Sequence, residues 1–273
     1  MFAWFRALLV LPLLLVGGAA AAERPIIDAH VHYSHDAWEM LPPADAVGLL
    51  RQAGLKRAFV SSSSDDGTLK LLAEAPDLIV PVLRPYRRRG ETGTWFRDDS
   101  VPAMLEARLA ANAYAGIGEF HVFGADADTP VMQRVIALAR QHRLFLHAHS
   151  DAEAVRRIFA RDPQAHVLWA HSGFDDPATI RAMLERYPTL WCDLAFRSEQ
   201  ARDGKVEPHW RTLFEDFPDR FMLGTDTYVP ERWHYVVEHA AWSRAWLEDL
   251  PAALADNIAW RNAERLADWA MSK

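Results

Sequence analysis

Two histidines stand one residue apart at the end of an apolar segment near the start of the chain. The segment is IIDAHVH, residues 26–32, and its composition predicts a strand that ends at the histidines. Since successive side chains of a strand point to opposite faces, His30 and His32 lie on one face and can hold one metal ion together. Taken alone, the pair is equally compatible with two surface histidines that bind nothing.

Four further strand-like segments end in residues that can bind a metal ion, and each is followed by sequence with helical character. The residues at these ends are Glu119 and His121, His147 and His149, His171, and Asp226. Imidazole nitrogens and carboxylate oxygens are ligands that zinc and related transition metals take in proteins. Five strand ends with such residues favour a metal site over surface residues that bind nothing.

Eight strand-like segments alternate with helical segments along the chain. Strands are predicted within residues 26–32, 58–60, 78–83, 115–120, 144–147, 166–170, 190–194 and 221–224. Helices are predicted within residues 44–53, 66–75, 101–113, 130–142, 151–161, 176–187, 208–214, 232–247 and 251–269. This alternation predicts fold class α/β with a parallel sheet, and eight units favour closure into a (β/α)8 TIM barrel.

A doubly wound open sheet is the runner-up for the same alternation. It gives no reason to place ligand residues on strands one, four, five, six and eight, whereas a barrel brings the carboxyl ends of all eight strands to one mouth. The polar, arginine-rich segment 84–99 is predicted to be a long loop between the third strand and its helix.

The composition fits one soluble globular domain. The chain has 273 residues, of which 50% are hydrophobic and 25% charged, and its formal net charge is -7. The arginine cluster at residues 87–89 is too short to form a nucleic-acid-binding surface, so no nucleic-acid partner is expected. The expected partner is a small-molecule substrate. The single cysteine, Cys192, excludes an intrachain disulfide. Nothing in the sequence decides the oligomeric state.

Residues 1–22 have the layout of a secretory signal peptide. Arg6 precedes an apolar run, and small residues precede Glu23. The run is shorter than the ~20 residues that a membrane-spanning helix needs, so no stable membrane anchor is expected. We therefore expect a cleaved signal peptide over residues 1–22, one barrel domain over residues 23–273, and export, most simply to a bacterial periplasm.

The chain resembles the amidohydrolase superfamily, and within it the amidohydrolase-related branch. The resemblance covers nearly all of the sequence after residue 22. It rests on the segments IIDAHVH, AGLKRAFVSS, LFLHAHSD, VLWAHSGF, RFMLGTDT and DNIAWRNAERL. The order His-x-His, His, His, Asp along the chain is its specific part. The resemblance implies a metal-dependent hydrolase with a TIM-barrel fold.

The resemblance also implies a set of metal ligands. They are His30 and His32 after the first strand, His147 after the fifth, His171 after the sixth and Asp226 after the eighth. Glu119 stands where some relatives bind a second ion through a glutamate. No lysine follows the fourth strand, so a carbamylated-lysine bridge is not implied. The expected cofactor is one or two divalent transition-metal ions, zinc first, with manganese or iron as alternatives.

Asp226 is the expected proton acceptor of the reaction. A bound cation would lower the pKa of a coordinated water to ~7, and Asp226 would take the water proton and pass it to the leaving group. His149 and His121 share strand faces with His147 and Glu119. For both histidines an ordinary hydrogen bond in a loop is the alternative to a role in catalysis.

Residues in the predicted loops could border the barrel mouth and contact the substrate. They are Arg84, Tyr86, Arg197 and Trp233. An arginine there could pair with a carboxylate or phosphate, and anchoring of a loop is the alternative. The predicted function is hydrolysis of a small ester, lactone, amide or phosphoester. The alternatives are a decarboxylase with the same ligands and a periplasmic barrel that binds a metal or ligand without turnover.

Overall fold

The computed structural model describes residues 23–272, so the predicted signal peptide lies outside the described residues. The strands are β1 (Ile26–Val31), β2 (Leu55–Ser61), β3 (Ile79–Leu83), β4 (Gly116–His121), β5 (Phe145–His149), β6 (Val167–Trp169), β7 (Leu190–Asp193), β8 (Ala201–Arg202), β9 (Lys205–Val206) and β10 (Phe221–Met222). The α-helices are α1 (Pro43–Gln52), α2 (Asp66–Glu74), α3 (Val101–Ala111), α4 (Pro130–His142), α5 (Ala152–Arg161), α6 (Pro177–Arg186), α7 (Pro208–Asp216), α8 (Val236–Leu247), α9 (Ala252–Asp256) and α10 (Asn262–Met271). Within residues 23–272 no helix has both the length and the apolar character of a membrane span.

Eight of the strands form one parallel sheet in the order β1-β2-β3-β4-β5-β6-β7-β10. Backbone hydrogen bonds join the first strand to the last: Ala29 N donates to Leu223 O at 2.8 Å, and Asp226 N donates to His30 O at 2.7 Å. The predicted (β/α)8 TIM barrel is therefore confirmed. Strands β8 and β9, which were not predicted, form a short antiparallel hairpin in the connection from β7 to α7.

The barrel interior is filled at the end where the strands begin. Phe59 of β2 stacks on Phe145 of β5 with ring centroids 5.5 Å apart, although these strands are not neighbours in the sheet. Their contact therefore crosses the interior. Ile27 belongs to the same buried cluster, and α10 adds Leu266 to it. This apolar packing leaves the carboxyl ends of the strands as the place where polar side chains can meet.

The predicted helices are present, with ends that differ by a few residues. The largest difference is at α8, because Pro230–Tyr235 forms a separate 3-10 turn before the helix begins. A π turn at Asn257–Arg261 separates α9 from α10, and there Ile258 O accepts a hydrogen bond from Leu223 N at 3.3 Å. The loop predicted at residues 84–99 is also present, with one 3-10 turn at Trp95–Arg97.

Candidate metal centre and active site

The carboxyl ends of four strands bring five of the predicted residues together. These residues are His30, His32, Glu119, His171 and Asp226, and all of them are buried. His30 Nε2 and His32 Nε2 are 3.1 Å apart. His32 Nε2 lies 3.2 Å from both Glu119 Oε2 and Asp226 Oδ1. His171 Nε2 lies 3.7 Å from Glu119 Oε1 and from Asp226 Oδ2, so ring nitrogens and carboxylate oxygens face one common point.

The donor set fits a divalent metal ion. Ligand atoms ~2.1 Å from a tetrahedral ion are roughly 3.4 Å apart, close to the separations between the facing atoms here. Asp226 Oδ1 is buried and has no hydrogen-bond partner among the described residues, although it lies 3.2 Å from His32 Nε2. A buried carboxylate oxygen without a donor is unfavourable, and a cation would satisfy it. Imidazoles and carboxylates together are the ligand types that zinc, manganese and iron accept.

The electrostatics of the site also favour a cation. Burial lowers the pKa of His30, but the charges of Asp226, Asp193 and Glu119 outweigh burial and raise that pKa well above its ordinary value. Burial raises the pKa of Asp226, yet His30 and His32 bring it down to about 2. Burial likewise opposes ionisation of Glu119, and neighbouring histidines lower its pKa well below the ordinary range. The carboxylates are therefore ionised at neutral pH and attract positive charge.

Asp193, at the end of β7, is a site residue that the sequence analysis missed. Its Oδ2 lies 3.1 Å from His30 Nδ1 and 3.0 Å from His147 Nε2. Its Oδ1 accepts hydrogen bonds from the backbone N–H groups of His171 at 2.9 Å and Ala195 at 3.1 Å. Asp193 thus holds the His30 ring with Nε2 towards the common point, as carboxylates behind metal-binding histidines do. Its place at a strand end is the signal that could have revealed it.

The structure places the two β5 histidines differently from the prediction. His147 Nε2 faces Asp193, below the group around Glu119, and burial together with the charge of His30 lowers the His147 pKa to about 4. His149 Nδ1 lies 2.8 Å from Glu119 Oε1. His149 is therefore the β5 histidine that reaches the group around Glu119, because it stands one strand repeat nearer to the mouth.

A cavity of about 500 Å³ opens above these residues, and Glu119, His149, His171 and Asp226 line its floor. Arg84 and Tyr86, predicted to face the substrate, also line it. The polar groups of both side chains form hydrogen bonds with other residues of the site. Arg84 Nη2 donates to Glu119 Oε2 at 2.7 Å, and the Tyr86 hydroxyl lies 2.9 Å from His121 Nδ1. Burial raises the pKa of Tyr86, so its hydroxyl keeps its proton.

The structure places Arg197 and Trp233, which were predicted to contact the substrate, outside the cavity lining. Neither residue lines the cavity, and both are buried. Arg197 Nη1 donates to His171 O at 2.9 Å, and Trp233 Nε1 donates to His32 O at 3.2 Å. Both side chains therefore hold the backbone of a candidate metal ligand. Whether a long side chain in a loop is buried in this way can be seen only in the folded chain.

Two candidate ligands have a left-handed backbone conformation. His171 has φ 55° and Asp226 has φ 51°, a region that costs a residue with a side chain about 1–3 kcal/mol. An arginine holds each of them: Arg197 donates to His171 O, and Arg232 Nε donates to Asp226 O at 2.7 Å. Strained residues that surrounding contacts keep in place are typical of functional sites.

A TIM barrel with ionisable residues converging at the carboxyl ends of its strands is the architecture of an enzyme. The sequence profile of the amidohydrolase family matches residues 27–268, and the chain belongs to this family. It is therefore an enzyme, and its fold suggests a small-molecule substrate. Members of the superfamily usually use divalent metal ions, and the described residues include groups that could hold one.

Solved structures show the same fold in distant proteins. An uncharacterised TIM-barrel protein of Bordetella bronchiseptica has a TM-score of 0.64 and 15% identity, covering 90% of this chain and 99% of its own. A Pseudomonas putida protein, provisionally assigned as a 2-pyrone-4,6-dicarboxylic acid hydrolase, has a TM-score of 0.57 and 14% identity, covering 91% and 99%. The beta-aspartyl dipeptidase of Fervidobacterium islandicum has a TM-score of 0.54 and 15% identity, covering 89% and 72%. No curated protein matches the sequence significantly.

Proposed function

We propose that this amidohydrolase is a metal-dependent hydrolase that acts on a small ester, lactone, amide or phosphoester. The observation that carries the proposal is the buried Asp226 Oδ1, which has no hydrogen-bond donor among the described residues and lies beside the facing Nε2 atoms of His30 and His32. A site built only for packing would leave neither a buried carboxylate oxygen unsatisfied nor two imidazole nitrogens in contact.

The residues that would hold the ion are His30, His32 and Asp226, with Glu119 and His171 beside them. A bound divalent ion, zinc first and manganese or iron as alternatives, supplies a water that is acidic enough to act as a nucleophile near neutral pH. A second ion would be held by Glu119 with His149 and His121, whose ligand atoms all lie within 4.8 Å of one another. In this proposal His149 takes the ligand position first predicted for His147.

The chain itself handles the proton of the reaction. Asp226 is ionised at neutral pH and lines the cavity, so it can accept a proton there and return it to the leaving group. Arg232 holds the Asp226 carbonyl, which keeps the carboxylate aimed at the cavity floor. Arg84 holds Glu119 through two hydrogen bonds, from Nε to its carbonyl at 3.0 Å and from Nη2 to its carboxylate at 2.7 Å.

Lactone and amide substrates have additional support in the structural neighbours, since one is provisionally a pyrone hydrolase and another a dipeptidase. The resemblance to the amidohydrolase-related branch implies a decarboxylase site that needs no Glu119, so the presence of this residue supports hydrolysis. Family membership favours an enzyme over a barrel that only binds a ligand.

A substrate screen with metal-loaded protein tests the proposal. Purified protein is loaded with zinc, manganese or iron, its ion content is measured, and 4-nitrophenyl acetate, dihydrocoumarin, glycyl-glycine and 4-nitrophenyl phosphate are offered. We expect hydrolysis of at least one of them, lost on chelation and restored by metal. Release of carbon dioxide from carboxylic acids without any hydrolysis would replace the proposal with the decarboxylase, and no turnover of either kind would overturn it.

We also propose that the enzyme is exported. This proposal rests on the sequence of residues 1–22 alone. In a bacterial host expressing the full chain, we expect the periplasmic fraction to contain protein that begins at Glu23, as measured by intact mass. Protein confined to the cytoplasm with residues 1–22 still attached would contradict it.

A further inference from the structure

Three aromatic side chains stand exposed around one side of the cavity. They are Phe174, Phe196 and Tyr228, and we call them the aromatic collar. Their exposed fractions are 56%, 40% and 51%, and all three line the cavity. They follow β6, β7 and β10, which are neighbours in the sheet, so the collar forms one continuous side of the mouth. Large apolar side chains left exposed together at a concave site are typical of a binding surface for an apolar group.

The surrounding contacts hold the collar in place. The guanidinium of Arg232 lies 4.2 Å from the centre of the Phe196 ring and 5.7 Å from that of Tyr228. Phe174 stacks on His171 with ring centroids 4.5 Å apart. Arg89 donates to Tyr228 O at 2.9 Å, which fixes this loop from across the mouth. The rings therefore keep their positions while their outer faces stay accessible.

The backbone conformation of the collar residues supports a role in ligand binding. Phe174 has φ 54° and Phe196 has φ 57°, a left-handed conformation that bulky residues rarely adopt. Such strain persists where other contacts enforce it, and it is common at ligand sites. Both phenylalanines that have this conformation line the cavity.

The opposite side of the cavity is polar. Ser34, Ser63, Thr92 and Arg89 line it. The collar adjoins the catalytic floor, because Phe174 stacks on His171 and the Phe196 ring lies 5.8 Å from the same histidine. A ring seated on the collar would therefore lie next to a reacting bond at Asp226 and Glu119.

We infer that the aromatic collar binds an apolar ring of the substrate, and that the substrate class is an ester, lactone or amide with a phenyl-sized ring beside its carbonyl group. This inference rests on the proposed function and narrows it. The edge and face of aromatic side chains attract another ring in offset or edge-to-face geometry, beyond the burial of its apolar surface. The polar side of the cavity then faces the remaining oxygens of the substrate.

The test compares two carboxylates that differ only in the ring. Zinc-loaded protein is titrated with sodium phenylacetate and sodium acetate by calorimetry. Both present the same carboxylate to the floor, so the ratio of their affinities measures the ring alone. We expect phenylacetate to bind about 10- to 100-fold more tightly. Phe196→Ala and Tyr228→Ala should each lower that ratio about 3- to 10-fold, whereas Tyr228→Phe, which keeps the ring, should leave it unchanged.

Tyr235→Ala is the matched control, since Tyr235 is 59% exposed but does not line the cavity. It should leave the ratio unchanged. The inference would be overturned by equal affinities of the two acids or by failure of phenylacetate to bind. It would also be overturned if Tyr235→Ala lowered the affinity ratio as much as the collar variants do. Binding needs no turnover, so a ring preference without hydrolysis in the screen would reject the proposed function alone. Hydrolysis without a ring preference would reject the collar alone.

Discussion

Two buried carboxylates, Asp193 and Glu119, each lie between two histidines, yet they face different surroundings. Asp193 Oδ2 contacts His30 at 3.1 Å and His147 at 3.0 Å. Glu119 contacts His149 at 2.8 Å through Oε1 and His32 at 3.2 Å through Oε2. Asp193 also accepts hydrogen bonds from two backbone N–H groups and does not line the cavity, whereas Glu119 lines the cavity floor.

The difference shows that depth along the barrel axis decides what a carboxylate can do. Both carboxylate oxygens of Asp193 contact other groups of the protein, so the role of Asp193 is to orient the His30 ring. Glu119 also contacts histidines, but it lines the cavity, so it can take part in binding a metal ion. We call Asp193 with His30 and His147 the inner group, and Glu119 with His32 and His149 the outer group. The inner group should therefore govern folding, and the outer group metal content and turnover.

The largest effect is expected at His30 of the inner group and His32 of the outer group, whose Nε2 atoms lie 3.1 Å apart. The double variant His30→Ala, His32→Ala removes two facing ring nitrogens, and we expect loss of the bound metal and of all metal-dependent turnover. Metal content is measured by elemental analysis after gel filtration. Metal content equal to that of the wild type would show that the site lies elsewhere.

Asp226→Asn tests the cavity side of the comparison. Asn keeps the size of the side chain and one oxygen, so the fold and at least one bound ion should remain. It removes the basic oxygen that accepts the proton, and turnover should fall ~100- to 10,000-fold. The comparison uses the substrate found in the screen, at equal metal content. A rate close to that of the wild type would exclude Asp226 as the proton acceptor.

Asp193→Asn and Glu119→Gln contrast the two carboxylates directly. Breaking the buried contacts of Asp193 should lower the free energy of unfolding by about 3–5 kcal/mol, measured by urea denaturation of metal-free protein. Despite its burial, His30 and His147 lower the pKa of Asp193, so its contribution is present above pH ~4 and lost as the pH falls further. Glu119→Gln should change the unfolding free energy less but lower the metal content per chain. The reverse pattern would contradict the assignment of roles.

His149→Ala and His147→Ala give the smallest contrast. If His149 is the β5 ligand, its loss should weaken metal binding more than the loss of His147, which should cost about 10- to 100-fold in affinity through the orientation of its neighbours. Competition with a chromogenic chelator measures both. A greater loss of affinity in His147→Ala would restore the ligand assignment made from the sequence.

The sequence alone determined the barrel and the strand ends that carry the site. Strand and helix periodicities are local, so the order of the elements and the positions of His30, His32, Glu119, His171 and Asp226 at strand ends could be read along the chain. A parallel sheet of eight such units then brings these ends to one mouth by its geometry. The bounds of the helices followed to within a few residues for the same reason.

Only the tertiary structure decided which side chains face the cavity. Whether His147 or His149 reaches Glu119 depends on the depth of each ring along the barrel axis, which their shared strand face does not specify. Arg197 and Trp233 stand in loops, where burial depends on neighbours distant in the chain. Asp193 acquires its role from contacts with β1 and β5, and the collar depends on left-handed loop conformations, neither of which a local pattern encodes.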